Sequence, residues 1–135
     1  MIKIVLDTNF LLYCAKYKID YMQEIENLMT EGYELVTLSQ IISELNKIEI
    51  DSKKFSERQN ASLALKILKH NNIKILEGIK GEGGDEAIIN FIKEELKNRT
   101  ISSNFIATHD LELVKKVKKI ARTITIEGGK KIIFG

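Results

Sequence analysis

With 135 residues, 44% hydrophobic and 30% charged, the chain has the size and composition of one globular domain able to bury a proper core. Its apolar runs are only a few residues long, too short to cross a bilayer, and it enters a strand at once with no leader-like segment, so a cytoplasmic protein is expected. One cysteine excludes an internal disulfide, two histidines argue against a Cys/His metal site, and a formal net charge of +2 decides little about partners.

Ile2-Lys-Ile-Val-Leu6 is short and β-branched, which predicts a strand rather than a helix. It runs into Asp7-Thr-Asn9, and an apolar helical pattern follows to Tyr17, with Cys14 inside it as a buried thiol. A second helix is expected over 19–31, with Met22, Ile25, Leu28 and Met29 at helical spacing and Gly32 as its stop. Residues 34–38 alternate as a second strand, and Ser39 reads as the N-cap of a helix over 40–50.

Another helix is expected over 56–72, carrying Ala61, Ala64, Leu65 and Leu68 on one side. Residues 73–76 make a third strand, and 78–84 a loop holding four of the eight glycines. Asp85 opens a helix through Leu96, and a fourth strand follows at 105–108. A helix over 111–121 and a fifth strand over 123–126 come next, with Gly128-Gly129 as a turn. Residues 131–134 are read as a last edge strand or as a tail in a partner interface.

Strands alternating with helices predict one three-layer α/β/α domain over 1–135, with a central, mostly parallel sheet of about five strands. Ligands of such sheets bind outside the carboxyl ends of the strands. Asp7 follows the first strand directly, and Asp110 follows the fourth after Thr108 and His109. Asp85 stands at a helix start, and Glu44 lies early in the helix after the second strand, although Glu49 borders the same apolar stripe.

Singly, Asp7, Asp85 and Asp110 can be helix caps, and Glu44 a solvated side chain. Jointly they present four acids to one edge, where two carboxylates ~4 Å apart repel by about 4 kcal/mol at an effective dielectric near 20. A hard divalent cation with oxygen ligands, Mg²⁺ or Mn²⁺, answers that repulsion, and phosphodiester hydrolysis is the chemistry that fits. Asn9 and Thr108 are placed to orient ligands or a water, or to cap turns.

Asp7-Thr-Asn, Glu44, Gly84-Asp85-Glu-Ala-Ile-Ile and Ala107-Thr108-His-Asp110-Leu-Glu-Leu together resemble the PIN-domain ribonuclease family over essentially the whole chain. The layout is similar to archaeal members related to ribosomal-RNA-processing endonucleases, and the ribonucleases of type II toxin–antitoxin pairs share the same acids. The resemblance implies a PIN-like fold and a metal-dependent endoribonuclease, often dimeric, that leaves 5′-phosphate and 3′-hydroxyl ends. Asp7, Glu44, Asp85 and Asp110 would be its acidic, metal-holding site, with Asn9 and Thr108 in support and Glu86 as an outer ligand. The partners so implied are RNA, a second copy of the chain, and an antitoxin or a ribosome-assembly protein. A non-catalytic RNA-binding or assembly module with the same fold is the alternative.

RNA is a polyanion, so basic residues should surround the acids. Lys115, Lys116, Lys118, Lys119 and Arg122 follow Asp110, and Lys53, Lys54 and Arg58 follow Glu44. Tyr13 and Tyr17 lie near the first acid, where helical spacing favours core packing or a dimer contact. His109 adjoins Asp110, but a metal-activated water needs no imidazole base.

Overall fold

The computed structural model describes residues 2–77, 83–97 and 104–135. The chain runs β1 (Ile2–Leu6), α1 (Thr8–Tyr17), α2 (Tyr21–Leu28), β2 (Tyr33–Leu38), α3 (Ser39–Asp51) and α4 (Phe55–His70). It continues through β3 (Lys74–Leu76), α5 (Gly84–Lys97), β4 (Asn104–Ala107), α6 (Leu111–Val117), β5 (Arg122–Glu127) and β6 (Lys131–Phe134). The strands form one sheet in the order β3-β2-β1-β4-β5-β6. All neighbours pair in parallel except β5 with β6.

The chain therefore walks outward from β1 through β2 to β3, returns to β4 on the other side of β1, and walks outward again. Right-handed crossovers on these opposite walks put α1 to α4 on one face of the sheet and α5 and α6 on the other. Successive residues of β1 and β4 point to opposite faces, yet Ile4, Val5 and Leu6, and Phe105, Ile106 and Ala107, are all buried. A sheet buried on both faces is the middle of three layers. The β1–β4 junction, where the two walks diverge, is the switch point at which such sheets open a crevice at their carboxyl ends.

The fold matches the expected class, with six strands instead of about five: residues 131–134 do join the sheet, antiparallel to β5 through the Gly128-Gly129 turn. Both glycines take positive φ there, +61° and +83°, which lets two strands reverse in so few residues. Other differences concern boundaries. The second helix starts at Tyr21, not at residue 19, because Lys18 takes a left-handed conformation and closes α1. Lys18 N–H donates to Ala15 O and Ile19 N–H to Cys14 O, the paired bonds that end a helix sharply, while Asp20 caps α2 by accepting from Gln23 N–H.

Ser39 is the first helical residue of α3 rather than its cap, since Leu38 occupies the cap position and the Ser39 hydroxyl turns to Gln40. α6 stops at Val117, four residues short of the expected end, and Ile120 and Ala121 fold back onto the Val117 carbonyl. The expected 78–84 loop lies outside the described residues apart from Gly83 and Gly84. Among the described residues no helix is long and apolar enough to cross a membrane.

Candidate acidic site at the sheet switch point

Asp7 leaves the carboxyl end of β1 in extended conformation, and its N–H still donates to Ala107 O across the switch point. It occupies the N-cap position of α1, yet its side chain makes no cap bond. The carboxylate is instead buried, 3% exposed, and its Oδ2 accepts the Thr108 hydroxyl at 2.8 Å. The helix-cap account of this acid is thereby removed. Burial pushes the Asp7 carboxyl up to about 6, against the pull of the Thr108 hydroxyl and the Thr8 amide, and the nearby Asp85 and Glu44 raise it further.

Thr108 is the bridge of the crevice. Its N–H extends the sheet ladder to Ile124 O, and its hydroxyl lies 2.8 Å from Asp7, 3.2 Å from Asn9 Oδ1 and 3.1 Å from the Asp110 amide that donates to it. Asn9 Oδ1 also accepts the His109 N–H at 3.1 Å. The loop after β4 is thus tied to Asp7 and to the start of α1.

Glu44 reaches the same place from α3. Its Oε2 accepts the Thr8 hydroxyl at 2.7 Å and its Oε1 the Gly84 N–H at 2.6 Å, so two other elements fix its carboxylate. These bonds separate Glu44 from Glu49, which periodicity alone does not. A Cβ at Gly84 would collide with the Glu44 carboxylate, so glycine at this helix start lets the acid stay where it is held. Thr8 and Gly84, which hold the Glu44 carboxylate, are positions that the sequence pattern did not single out. Thr8 was legible as the hydroxyl inside Asp7-Thr-Asn9, whereas Gly84 reads there only as a loop residue.

Asp85 sits in the first turn of α5. Burial raises its carboxyl, Asp110 and Glu44 raise it too, and Lys116 draws it down. Asp110 does cap its helix, with Oδ1 accepting the Glu112 N–H at 2.9 Å, and still acts on Asp85. Two of the four acids thus feel the others: Asp85 and Glu44 act on Asp7, and Asp110 and Glu44 act on Asp85. Glu86, the expected outer ligand, is exposed.

The donors are all carboxylate oxygens, and the cation that acts on these shifted acids is Lys116 on Asp85, so the chemistry fits a hard divalent ion. The acids are not closed around one point: among the described residues no three His, Cys, Asp or Glu side chains are grouped to hold an ion. Glu44 spends one bond on each oxygen, and a carboxylate oxygen has room for a second partner.

The basic residues divide. Lys115 and Lys116 are exposed on α6, while Lys118 and Lys119 lie in the turn beyond it. Arg122 opens β5 opposite Phe105 and so belongs to the far edge of the sheet. Its guanidinium lies over Phe105 and Phe134, 4.8 Å and 5.2 Å from the ring centres. Arg58 donates to Ser52 O at 2.6 Å, and Lys54 lines a cleft beside Asn9. Cys14 is buried as expected, its thiol pushed up to about 12 by burial.

A family profile described as a PIN like domain matches residues 4–127. Over 137 aligned residues the chain is 34% identical to Ribonuclease VapC4 of Methanocaldococcus jannaschii, covering 100% of this chain and 98% of that protein. Among solved structures it is similar to the PIN domain endonuclease Utp24, with a TM-score of 0.75 at 21% identity over 98% of this chain and 90% of that one. It is also similar to VapBC2 from Rickettsia felis bound to a DNA fragment from their promoter, with a TM-score of 0.54 at 17% identity over 94% and 100% of the two chains. At these identities the two structures speak for the fold.

Proposed function

The chain belongs to the PIN-like domain family, and on that premise we propose that residues 1–135 form one nuclease domain, a divalent-metal-dependent endoribonuclease acting at Asp7, Glu44, Asp85 and Asp110. The observation that carries the reading is Asp7, an acid buried at the switch point, free of cap duty and raised to about 6 among other acids. Carboxyls raised by burial beside other acids in a crevice cluster at functional sites.

Asp7, Glu44, Asp85 and Asp110 would hold Mg²⁺ or Mn²⁺, which supplies the charge that activates water and offsets the charge of phosphodiester cleavage. Thr108 orients Asp7 through its hydroxyl, and Thr8 with the Gly84 amide orients Glu44. Lys116 favours the ionised form of Asp85 and offers a cation to an incoming phosphate. Asn9, in the first turn of α1, ties that helix start to the loop after β4, so Asp7 and Asp110 beside them keep their spacing. Lys115 and Lys119 are assigned to the surrounding RNA path. His109 has no catalytic role in this scheme.

The test is cleavage of a mixed structured RNA by wild type and Asp7→Asn, each in EDTA, Mg²⁺ or Mn²⁺. Metal-dependent cleavage that disappears in the variant is expected. RNA binding with no turnover under any condition would overturn the reading in favour of an assembly module. The full-length match to a VapC ribonuclease favours, as the physiological role, a cytoplasmic toxin held by an antitoxin over ribosomal RNA processing. Growth arrest on expression, absent with Asp7→Asn, is the expected result for that role; homodimerisation is proposed for either.

A further inference from the structure

Three threonine hydroxyls hold the corner that carries Asp7. Thr108 donates to its carboxylate at 2.8 Å, and Thr8 donates to Glu44 at 2.7 Å. The third, Thr37 on β2, is fully buried and donates to the Leu6 carbonyl at 2.9 Å, one peptide before the acid. Thr37 belongs to none of the acid motifs, and its separation of 31 residues from Leu6 hides the contact in the sequence.

Its place follows from how the sheet divides. β1 pairs with β2 in parallel from Ile2↔Tyr33 to Val5↔Val36, and there the register stops, although β2 runs on to Leu38 beside β3. β1 stays with β4 for longer, through Leu6↔Ala107 and then the Asp7 N–H to Ala107 O. The planar peptide between Leu6 and Asp7 therefore points its N–H at β4 and its carbonyl back toward β2. The next rung of the β1–β2 ladder is absent, and the Thr37 hydroxyl takes that carbonyl in its stead. A buried carbonyl left without a donor is costly, so one bond satisfies two buried groups.

We propose that Thr37 is a positioning residue for Asp7: its hydroxyl closes the gap where β1 parts from β2 and fixes the peptide plane that aims the acid into the crevice. This rests on the endoribonuclease reading and adds a residue to the machinery of that site. β2 leads directly into α3, so the hydroxyl ties the strand that ends in Asp7 to the strand that leads to Glu44. Valine matches threonine in shape and suits a strand as well, so strand formation alone does not ask for the hydroxyl.

The experiment compares Thr37→Val, which removes the hydroxyl, with Thr37→Ser, which keeps it. Ile132→Ala, a core truncation on β6, is the control that lowers stability away from the fork. Amide hydrogen exchange is followed in metal-free protein. In Thr37→Val the Asp7 amide should exchange about tenfold faster, relative to the Val5 amide, than in wild type, because the opening is local. With Mn²⁺ and RNA, kcat should fall about 10–100-fold at unchanged KM for RNA, and half-maximal rate should need more Mn²⁺. Thr37→Ser should bring both readings back near wild type, and Ile132→Ala should move neither. If Thr37→Val does not fold, Thr37→Ala against Thr37→Ser makes the same comparison, since these two differ only by the hydroxyl.

An Asp7 amide that exchanges in Thr37→Val as it does in wild type overturns the proposal. So does a Thr37→Ser as impaired as Thr37→Val, which would put the effect in packing. The same selective loss in Ile132→Ala would overturn it too, by making it a consequence of lower stability. The two readings fail separately. A loosened Asp7 amide in a chain whose wild type cleaves no RNA rejects the nuclease only, and metal-dependent cleavage that Thr37→Val does not lower rejects the role of Thr37 only.

Discussion

Asp7 carries an energetic signature that can be read without any substrate. Its carboxyl is at about 6 in the folded chain against 3.8 for the free group, chiefly through burial. A raised carboxyl favours folding when protonated, so its contribution is complete below pH ~4 and is lost as pH rises through 6. At 1.36 kcal/mol per unit, the ionised form costs about 3 kcal/mol above that window. In metal-free protein, Asp7→Asn should therefore unfold at higher urea than wild type at pH 8, with the gap closing near pH 4. A variant that is no more stable at pH 8 would mean the carboxylate is already compensated. Gly84→Ala should do the reverse, with stability nearly unchanged and cleavage about 10–100-fold lower, as when a ligand's support is displaced. The three atoms nearest the added Cβ all belong to the Glu44 carboxylate, the far end of a flexible side chain. Unchanged cleavage in Gly84→Ala would show that Glu44 need not be held where Thr8 and Gly84 hold it. Asp7 could be found from sequence because it ends a strand; the role of Gly84 could not, since its partner is 40 residues away.

At the scale of elements, what a local pattern encodes was legible and what tertiary contact decides was not. The strand at 2–6 and the helices after it follow from hydrophobic period, and each stands within a few residues of its expected place. The break after Tyr17 was expected, but the start of α2 was placed two residues early, because the left-handed residue is Lys18, where a glycine would have announced a longer turn. The paired bonds to Ala15 and Cys14, together with the burial of Ile19, impose the turn on a residue that does not favour it. Holding a non-glycine residue left-handed costs about 1–2 kcal/mol, partly offset by the extra freedom glycine has when unfolded. Lys18→Gly should accordingly raise stability by about 0.5–1 kcal/mol and leave cleavage alone, measured as a shift in urea midpoint at constant slope. A loss of stability would mean that the Lys18 side chain does something beyond completing the turn. The end of α4 repeats the arrangement with Asn72 in the left-handed position, a residue better suited to it, and there the expected end at residue 72 fell close.

For the whole molecule, alternation of strands and helices announced a parallel sheet, but strand order is not written in any local pattern. It is the order β3-β2-β1-β4-β5-β6 that makes β1 and β4 neighbours and so brings Asp7 against Thr108, 101 residues apart. α3 and α5 then deliver Glu44 and Asp85 to the crevice, and α6 begins there with Asp110. Asp85 and Glu44 raise the proton affinity of Asp7, and Asp110 and Glu44 that of Asp85, because topology assembled them, and the same assembly should raise the affinity for a divalent cation. An ion that binds the folded chain and not the unfolded one stabilises it by about 2.7 kcal/mol at a hundred times its dissociation constant. For a chain of this length that corresponds to a rise in melting temperature on the order of 10 °C. Millimolar Mg²⁺ or Mn²⁺ should therefore raise Tm at pH 8. Below the window near pH 6 where Asp7 takes up its proton, the shift should fade, because proton and cation compete for the same oxygens. Asp7→Asn should lose most of the shift at every pH. An equal shift in wild type and Asp7→Asn would locate the cation elsewhere on the surface, and the convergence of four acids would then have to be explained without a metal.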